Sequence, residues 1–269
     1  MSNSIPKTIH YCWFGKNPLP KLAVKCIESW KKYLPDYKII QWDESNFDIS
    51  SNKYAQQAYE AKKYAFVSDY ARFKILYEQG GIYFDTDVEV IRNMDNIISA
   101  GPFMGCENAS RPGESPFRLL VAAGLGLGAV PGMPLYREIL DLYENNEFIN
   151  QDGSFNQKTV VYNVTEILCR YGLKNIPDIQ EVAGVKIYPV SYFCPLDYKT
   201  KKLDIKTETV SIHWYDASWI SKRHKFILSV QRIVGKRTIR AAVIIKSKLK
   251  NILRHLKGVS KNSKLWLEF

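Results

Sequence analysis

Residues 65–91 constrain the fold more than any other stretch of this chain. Phe66, Tyr70, Phe73, Ile75 or Leu76, and Tyr77 recur at helical intervals, so Ala65 to Gln79 reads as a helix. Gly80-Gly81 stops it. Ile82-Tyr83-Phe84 then reads as a strand running straight into Asp85-Thr86-Asp87, and Val88 to Ile91 continues extended. The start of the chain alternates in the same way. Thr8 to Phe14 reads as a short buried strand closed by Gly15 and Pro18. Pro20 to Tyr33 reads as a helix with Leu22, Cys26 or Ile27, and Trp30 on one side, and Tyr37 to Trp42 as a second strand. Strand, helix, strand in that order suggests a parallel α/β sheet. Further strands are expected at Phe103–Cys106, Leu125–Val130, Val185–Val190 and Val210–Trp214, and further helices at Pro134–Tyr143 and Thr159–Tyr171.

The end of the strand carries the chemistry. Asp85 and Asp87 are two residues apart, and in extended backbone such residues project to the same side. Two anions at the carboxyl end of a strand repel unless a cation lies between or beside them, and ligand sites of open α/β sheets lie at those ends. Hard oxygen ligands suit Mg²⁺ or Mn²⁺. Such an ion can bridge a diphosphate and stabilise it as it leaves. The plain alternative is a solvated acidic turn. Upstream, Asp69 and Arg72 are spaced i, i+3 and share one helical face; their plain alternative is a surface ion pair of little energetic consequence.

Charge distribution narrows the partners. The net charge is +11, but residues 218–269 hold 14 Lys or Arg against the single acid Glu268, while residues 1–217 hold 24 basic and 26 acidic residues. A nucleic-acid enzyme more often carries positive charge around its cleft. Here the body is near neutral and the basic charge sits in one terminal stretch, which points to a membrane surface or a polyanion. The five cysteines, Cys12, Cys26, Cys106, Cys169 and Cys194, are odd in number and widely spaced, so reduced thiols in a cytosolic compartment are expected. The opening residues lack a charged region followed by an apolar one, so no signal peptide is expected. The weakly polar run Leu119–Val130 is too short for a membrane span, which needs roughly 20 residues.

The string from Ala65 through Val88 closely resembles the sugar-binding segment containing the DXD motif in glycosyltransferase family 32. It also resembles the glucosylating domains of large clostridial toxins. Two more segments resemble the family in the expected order. Ile5-Pro6-Lys7-Thr8-Ile9-His10-Tyr11-Cys12-Trp13-Phe14-Gly15 looks like its opening strand. That likeness implies that Cys12 and Trp13 lie at the nucleotide base. Ser211-Ile212-His213-Trp214-Tyr215-Asp216-Ala217-Ser218-Trp219 looks like its closing segment. That implies that His213 reaches the metal or the diphosphate and that Ser218 and Trp219 close over the donor. The resemblance covers roughly residues 5–219.

It implies a GT-A-like α/β fold, a single domain with a mixed, mostly parallel sheet. It implies Asp87 on the metal, Asp85 on the metal or the donor, and Asp69 and Arg72 on the donor sugar, with Tyr83 as a further donor contact. By the same resemblance, Asp85, Asp87, Arg72 and Asp69 form the catalytic set, and Asp87, Asp85 and His213 the metal set, with Mn²⁺ or Mg²⁺ as cofactor. Transfer with retention of anomeric configuration from a nucleotide-sugar, with UDP favoured as the nucleotide, is the implied reaction. The implied acceptor is a glycan in capsule or O-antigen synthesis, and the basic tail described below is the reason to expect it to be lipid-linked. A toxin-like protein glycosyltransferase and a non-catalytic binder of nucleotide-sugars or anions are the other readings. The chain departs from the family at Ala123-Gly124-Leu125-Gly126-Leu127-Gly128-Ala129, where no Asn precedes the Gly-Ala segment. Contacts from that strand to the donor sugar therefore do not carry over, and its glycines suit close backbone packing rather than a phosphate loop.

The expected division is a catalytic domain at 1–219 and a basic helical tail at 220–269. In the tail, Ile227, Val230, Val234, Ala241, Ile245, Leu249, Ile252 and Leu256 fall at spacings of three or four, opposite Lys236, Arg240, Lys250, Arg254 and Lys257. That pattern suits a helix, or two, lying on an anionic membrane, which would hold the protein peripherally on the cytoplasmic face. Ordinary docking of the apolar stripe on the body is the alternative.

Overall fold

Helix and strand meet at Gly81 under tight steric control. Its φ is +98°, and a side chain there would come within 2.7 Å of the Thr8 carbonyl oxygen. Only glycine lets the chain leave the helix and enter the sheet this close to its neighbour. The computed structural model describes residues 4–108, 119–198 and 200–216. By internal contacts the chain divides into Met1–Asp216 and Ala217–Phe269, and all the described residues fall in the first unit. Ser218, Trp219 and the tail at 220–269 lie outside the described residues.

The elements run in the order β1 (Thr8–Cys12), α1 (Lys21–Tyr33), β2 (Lys38–Trp42), α2 (Lys53–Glu60), α3 (Tyr64–Gln79), β3 (Gly81–Tyr83) and β4 (Val88–Val90). They continue with α4 (Asp95–Ser99), β5 (Phe103–Asn108), β6 (Leu119–Val121), β7 (Leu127–Ala129), α5 (Pro134–Glu144) and α6 (Val160–Arg170). The last are β8 (Gln180–Val182), β9 (Val185–Tyr188), α7 (Val190–Phe193) and β10 (Ser211–His213).

The main sheet has the order β2-β1-β3-β7-β5-β9-β8, with β6 on β5. β1 pairs parallel with β2 and β3, and β5 parallel with β9, while β7 runs antiparallel to both β3 and β5. Two antiparallel steps restore direction, so β1, β2, β3, β5 and β9 all run one way. The mixed, mostly parallel α/β sheet expected from the sequence is what forms. β4 and β10 make a separate antiparallel pair, with His213 opposite Val88.

Side-chain alternation divides the core between the two faces of the sheet. Tyr83 joins a cluster with Val67, Phe73 and Leu76 of α3, Tyr136 and Ile139 of α5, and Ile167 and Leu168 of α6. Ile82 and Phe84, one residue to either side, join the other cluster with Cys26 and Trp30 of α1, Val88 and Val90 of β4, and Phe193. Strand periodicity of two explains this division. Trp30 also donates its indole N–H to the Val88 carbonyl at 2.8 Å, which fixes β4 to α1.

Within the described residues, every strand and helix expected from periodicity forms, with ends shifted by a few residues. α2, β6, β8 and the short α4 and α7 were not expected. α2 buries only Tyr54, Ala55 and Ala58, too little apolar surface to show a helical stripe. It starts where the Asn52 side chain accepts from the Ala55 N–H. β8 is a polar segment that becomes a strand by pairing with β9.

Candidate functional site

β3 ends at Tyr83, one turn earlier than the extended reading of Asp85-Thr86-Asp87 requires. The Asp85 N–H donates to the Gly124 carbonyl, and the Val88 N–H donates back to the Asp85 carbonyl at 3.1 Å, closing a turn. The two carboxylates therefore do not project together from a strand, as alternation would have them do. Each has its own partners, because the turn places one against the sheet and α3 and the other against β10.

Asp85 faces α3. It accepts from the Tyr83 hydroxyl at 3.1 Å and lies 3.4 Å from the Arg72 guanidinium. Arg72 also pairs with Asp69 at 3.0 Å, donates through Nε to the Ser68 carbonyl, and sits 4.9 Å from the Tyr83 ring centre. The Arg72 side chain is 4% exposed and that of Asp69 11%, so the pair is buried and not the surface ion pair of the plain reading. Arginine keeps its charge even when buried, so carboxylate partners offset the cost of taking that charge out of water. Burial works against its charge, but Asp85, Tyr83 and Asp69 raise its pKa above the ordinary range. Burial pushes Asp69 up to about 6, against the pull of Arg72. Arg72 is thus a cation clamped between two carboxylates at the floor of the site.

Asp85 stands so close to β7's approach that a side chain on Gly124 would come within 1.8 Å of its Oδ2. Gly126 packs against Phe84 and Phe193, and Gly128 against Phe103. The glycines in this run serve close packing, as expected.

Asp87 faces β10. One oxygen accepts from the backbone N–H of Asp216 at 2.9 Å, and the other lies 3.3 Å from His213 Nε2. The Trp214 N–H donates to the Asp87 carbonyl, extending the β4–β10 ladder into the turn. Burial pushes the Asp87 carboxyl up, but the charge and hydrogen bond of His213 and the Asp216 N–H outweigh it, leaving the group below the usual range. Burial likewise opposes a charge on His213, and Asp87 overcomes it, raising the imidazole well above its ordinary value. The Asp87 carboxylate is therefore held ionised beside an imidazole, which suits a hard divalent ion better than a neutral acid would. Among the described residues, the one set of three His, Cys, Asp or Glu ligands with donor atoms within 4.8 Å of one another is Glu107, Cys194 and His213. Asp85, Asp87 and His213 are not drawn that close together.

Cys12 ends β1, the neighbouring strand, and Trp13 follows it. The Cys12 thiol points inward, and burial pushes it up to about 12, so only its backbone can meet a ligand. Trp13 is half-buried, donates its indole N–H to the Asn17 carbonyl at 2.7 Å, and packs at the rim of the core. Tyr83 is buried under Arg72 and touches Asp85 with its hydroxyl only.

Sequence reasoning missed Glu107, Cys194, Tyr215 and Gly124. Glu107 is the last residue but one of β5, and its carboxylate accepts from the Tyr215 hydroxyl at 3.0 Å, which also bonds the Cys194 thiol at 2.9 Å. Tyr215 has the left-handed φ of 52°, unusual for a bulky residue. Tyr215 belongs to the quoted closing segment, but nothing in sequence spacing joins it to residues 107 and 194.

Residues 20–104 match the model of the glycosyltransferase sugar-binding region containing the DXD motif. Inositol phosphoceramide mannosyltransferase 3 of Schizosaccharomyces pombe is 34% identical over 101 residues, covering 36% of this chain and 28% of that protein. Inositol phosphoceramide mannosyltransferase 1 of the same yeast is 29% identical over 111 residues, covering 37% of this chain and 33% of its own. The matches therefore span about a third of these curated relatives. Among solved structures, PaToxG glycosyltransferase aligns with 62% of this chain and 69% of its own at 20% identity, with a TM-score of 0.45. A glycosyltransferase involved in glycosylation of the PBCV-1 major capsid aligns with 81% of this chain and 95% of its own at 12% identity, with a TM-score of 0.42. The sequence matches bear out the resemblance to the DXD family on the segment that builds the site.

Proposed function

We propose that this chain is a metal-dependent, retaining glycosyltransferase that takes a hexosyl group from a nucleotide-sugar. The observation that carries the proposal is the buried Asp69–Arg72–Asp85 clamp beside an ionised Asp87, all inside the stretch that matches the DXD sugar-binding model. Asp87, with His213 beside it, would hold Mn²⁺ or Mg²⁺. When bound, that ion supplies positive charge to the diphosphate that departs from the sugar.

The chain's own residues do the rest. Asp69 and Asp85 present carboxylate oxygens to sugar hydroxyls, and Arg72 holds both in place while offsetting negative charge near the diphosphate. Tyr83 orients Asp85 through its hydroxyl. The backbone at Cys12 and the ring of Trp13 receive the base. No general base is assigned, because in a retaining transfer the departing phosphate can itself take the acceptor's proton.

A UDP-sugar is the proposed donor. GDP-mannose is tested beside it because the curated relatives are named as mannosyltransferases. A lipid-linked glycan of a surface polysaccharide is the proposed acceptor. The basic tail supports that choice, since it would keep the body at the cytoplasmic face of a membrane.

The test is a donor-hydrolysis screen of UDP- and GDP-sugars with Mn²⁺, repeated in EDTA and with Asp87→Asn. Turnover should fall by several orders of magnitude in both, with the melting temperature nearly kept. Full turnover in EDTA or in the variant would remove the metal from the mechanism. Donor that binds but survives every acceptor would favour a non-catalytic binding module.

A further inference from the structure

We propose that Glu107, Cys194 and His213, the last through Nδ1, form a binding site for a thiophilic divalent cation of the zinc class, which shares only His213 with the Asp85 and Asp87 metal set. The three residues come from the end of β5, the end of α7 and β10, so only the fold unites them. A thiol, an imidazole and a carboxylate are the donor types that zinc takes, and three protein ligands with an open fourth position are a common arrangement for it. Mg²⁺ and Mn²⁺ prefer all-oxygen surroundings, so this set selects against the ions suited to Asp87.

The geometry is nearly assembled. The donor atoms lie within 4.8 Å of one another. A tetrahedral ion with bonds of about 2.0–2.3 Å needs them about 3.5 Å apart, a closure of about 1 Å that side-chain rotation can supply. The Tyr215 hydroxyl already bridges the Cys194 sulfur and the Glu107 carboxylate, and its ring lies 4.1 Å from that of His213. His213 turns Nε2 to Asp87, while its Nδ1 is buried without a hydrogen-bond partner among the described residues. A cation bound there would take the place of the Nδ1 proton, which leaves as the ion binds. Cys194 also lines a cavity of about 360 Å³ with Asn108, Ser191, Asp197 and Lys202.

The test titrates the full-length, metal-free chain with Cd²⁺, which reports thiolate ligation by an ultraviolet charge-transfer band, and then with Zn²⁺ as competitor. A saturable band at one equivalent, displaced by Zn²⁺ and not by Mn²⁺, is expected. Cys194→Ser should abolish it. Glu107→Gln and His213→Asn should weaken Cd²⁺ binding about tenfold or more, since losing a ligand costs at least what losing an outer partner does. Asp87→Asn should keep the band although it loses turnover, so failure of this site and failure of the transferase reading are distinguishable. No band in the native chain overturns the proposal. So does a band that survives Cys194→Ser, one that Glu107→Gln and His213→Asn leave unchanged, or one that disappears in Asp87→Asn. The Glu107 and His213 variants decide the matter if Cys194→Ser does not fold.

Discussion

At the scale of single residues, the site is governed by how its charges are neutralised. Arg72 and Asp69 are both inside the protein, and each makes the other tolerable; removing one partner of such a pair typically costs about 3–5 kcal/mol. Asp85 completes the clamp, and its exact position depends on a residue with no side chain. Gly124→Ala would place a methyl group 1.8 Å from the present position of Asp85 Oδ2. The carboxylate is the more mobile party, so Asp85 would rotate and leave Arg72. Stability should change by no more than about 1–3 kcal/mol. Donor turnover should fall by about a hundredfold, because a displacement of one ångström in a catalytic group has that effect. A melting curve beside steady-state kinetics checks this, and unchanged turnover would mean that Asp85 need not stand where it does. The carboxylates and Arg72 were legible from the motif. The role of Gly124 was not, since it depends on a contact 39 positions away from Asp85 in the chain.

At the scale of elements, β1 carries two testable consequences. His10 is fully buried, accepts from the Trp42 indole at Nδ1 and contacts the Gly80 carbonyl through Nε2 at 3.1 Å. It thereby ties β1 to β2 and to the end of α3. Burial lowers its pKa from 6.5 to about 4, against a smaller raising effect from the Gly80 carbonyl. The folded-state value is depressed, so the stabilisation is complete above pH 6.5 and is lost as pH falls towards 4. Each tenfold change in proton affinity between the folded and unfolded states is worth about 1.4 kcal/mol, so the full effect is about 3 kcal/mol. The raised value of Asp69 acts in the opposite direction over part of the same window. The difference between native and His10→Gln unfolding free energies isolates His10, and it should shrink as pH drops from 6.5 to 4. A pH-independent difference would contradict the assignment. The second consequence concerns Trp13, which follows β1. Trp13→Ala should raise the donor KM more than it lowers kcat, because stacking on a base acts equally in ground and transition states. A loss of about 3–5 kcal/mol in stability with unchanged KM would instead make the ring a core residue.

At the scale of the whole molecule, a near-neutral body is joined to a strongly basic terminal stretch. The amphipathic pattern over 220–257 leads to one prediction. Co-sedimentation with anionic liposomes should be strong for the full chain and weak for a truncation after Trp219, with little binding of either to neutral lipid. Equal partitioning of the two would remove the membrane and most of the case for a lipid-linked acceptor. The sequence by itself determined the alternation of strands and helices, the position of Asp85 and Asp87 just beyond β3, and the Asp69–Arg72 pair. All of these rest on short-range periodicity or on one contiguous motif. The tertiary structure alone decided that Asp85 and Asp87 part company, because a turn closed by hydrogen bonds to residues 88 and 124 overrides strand alternation. It also decided that Glu107, Cys194 and His213 meet, because sheet order and the β4–β10 pairing bring together residues that no spacing in the chain connects.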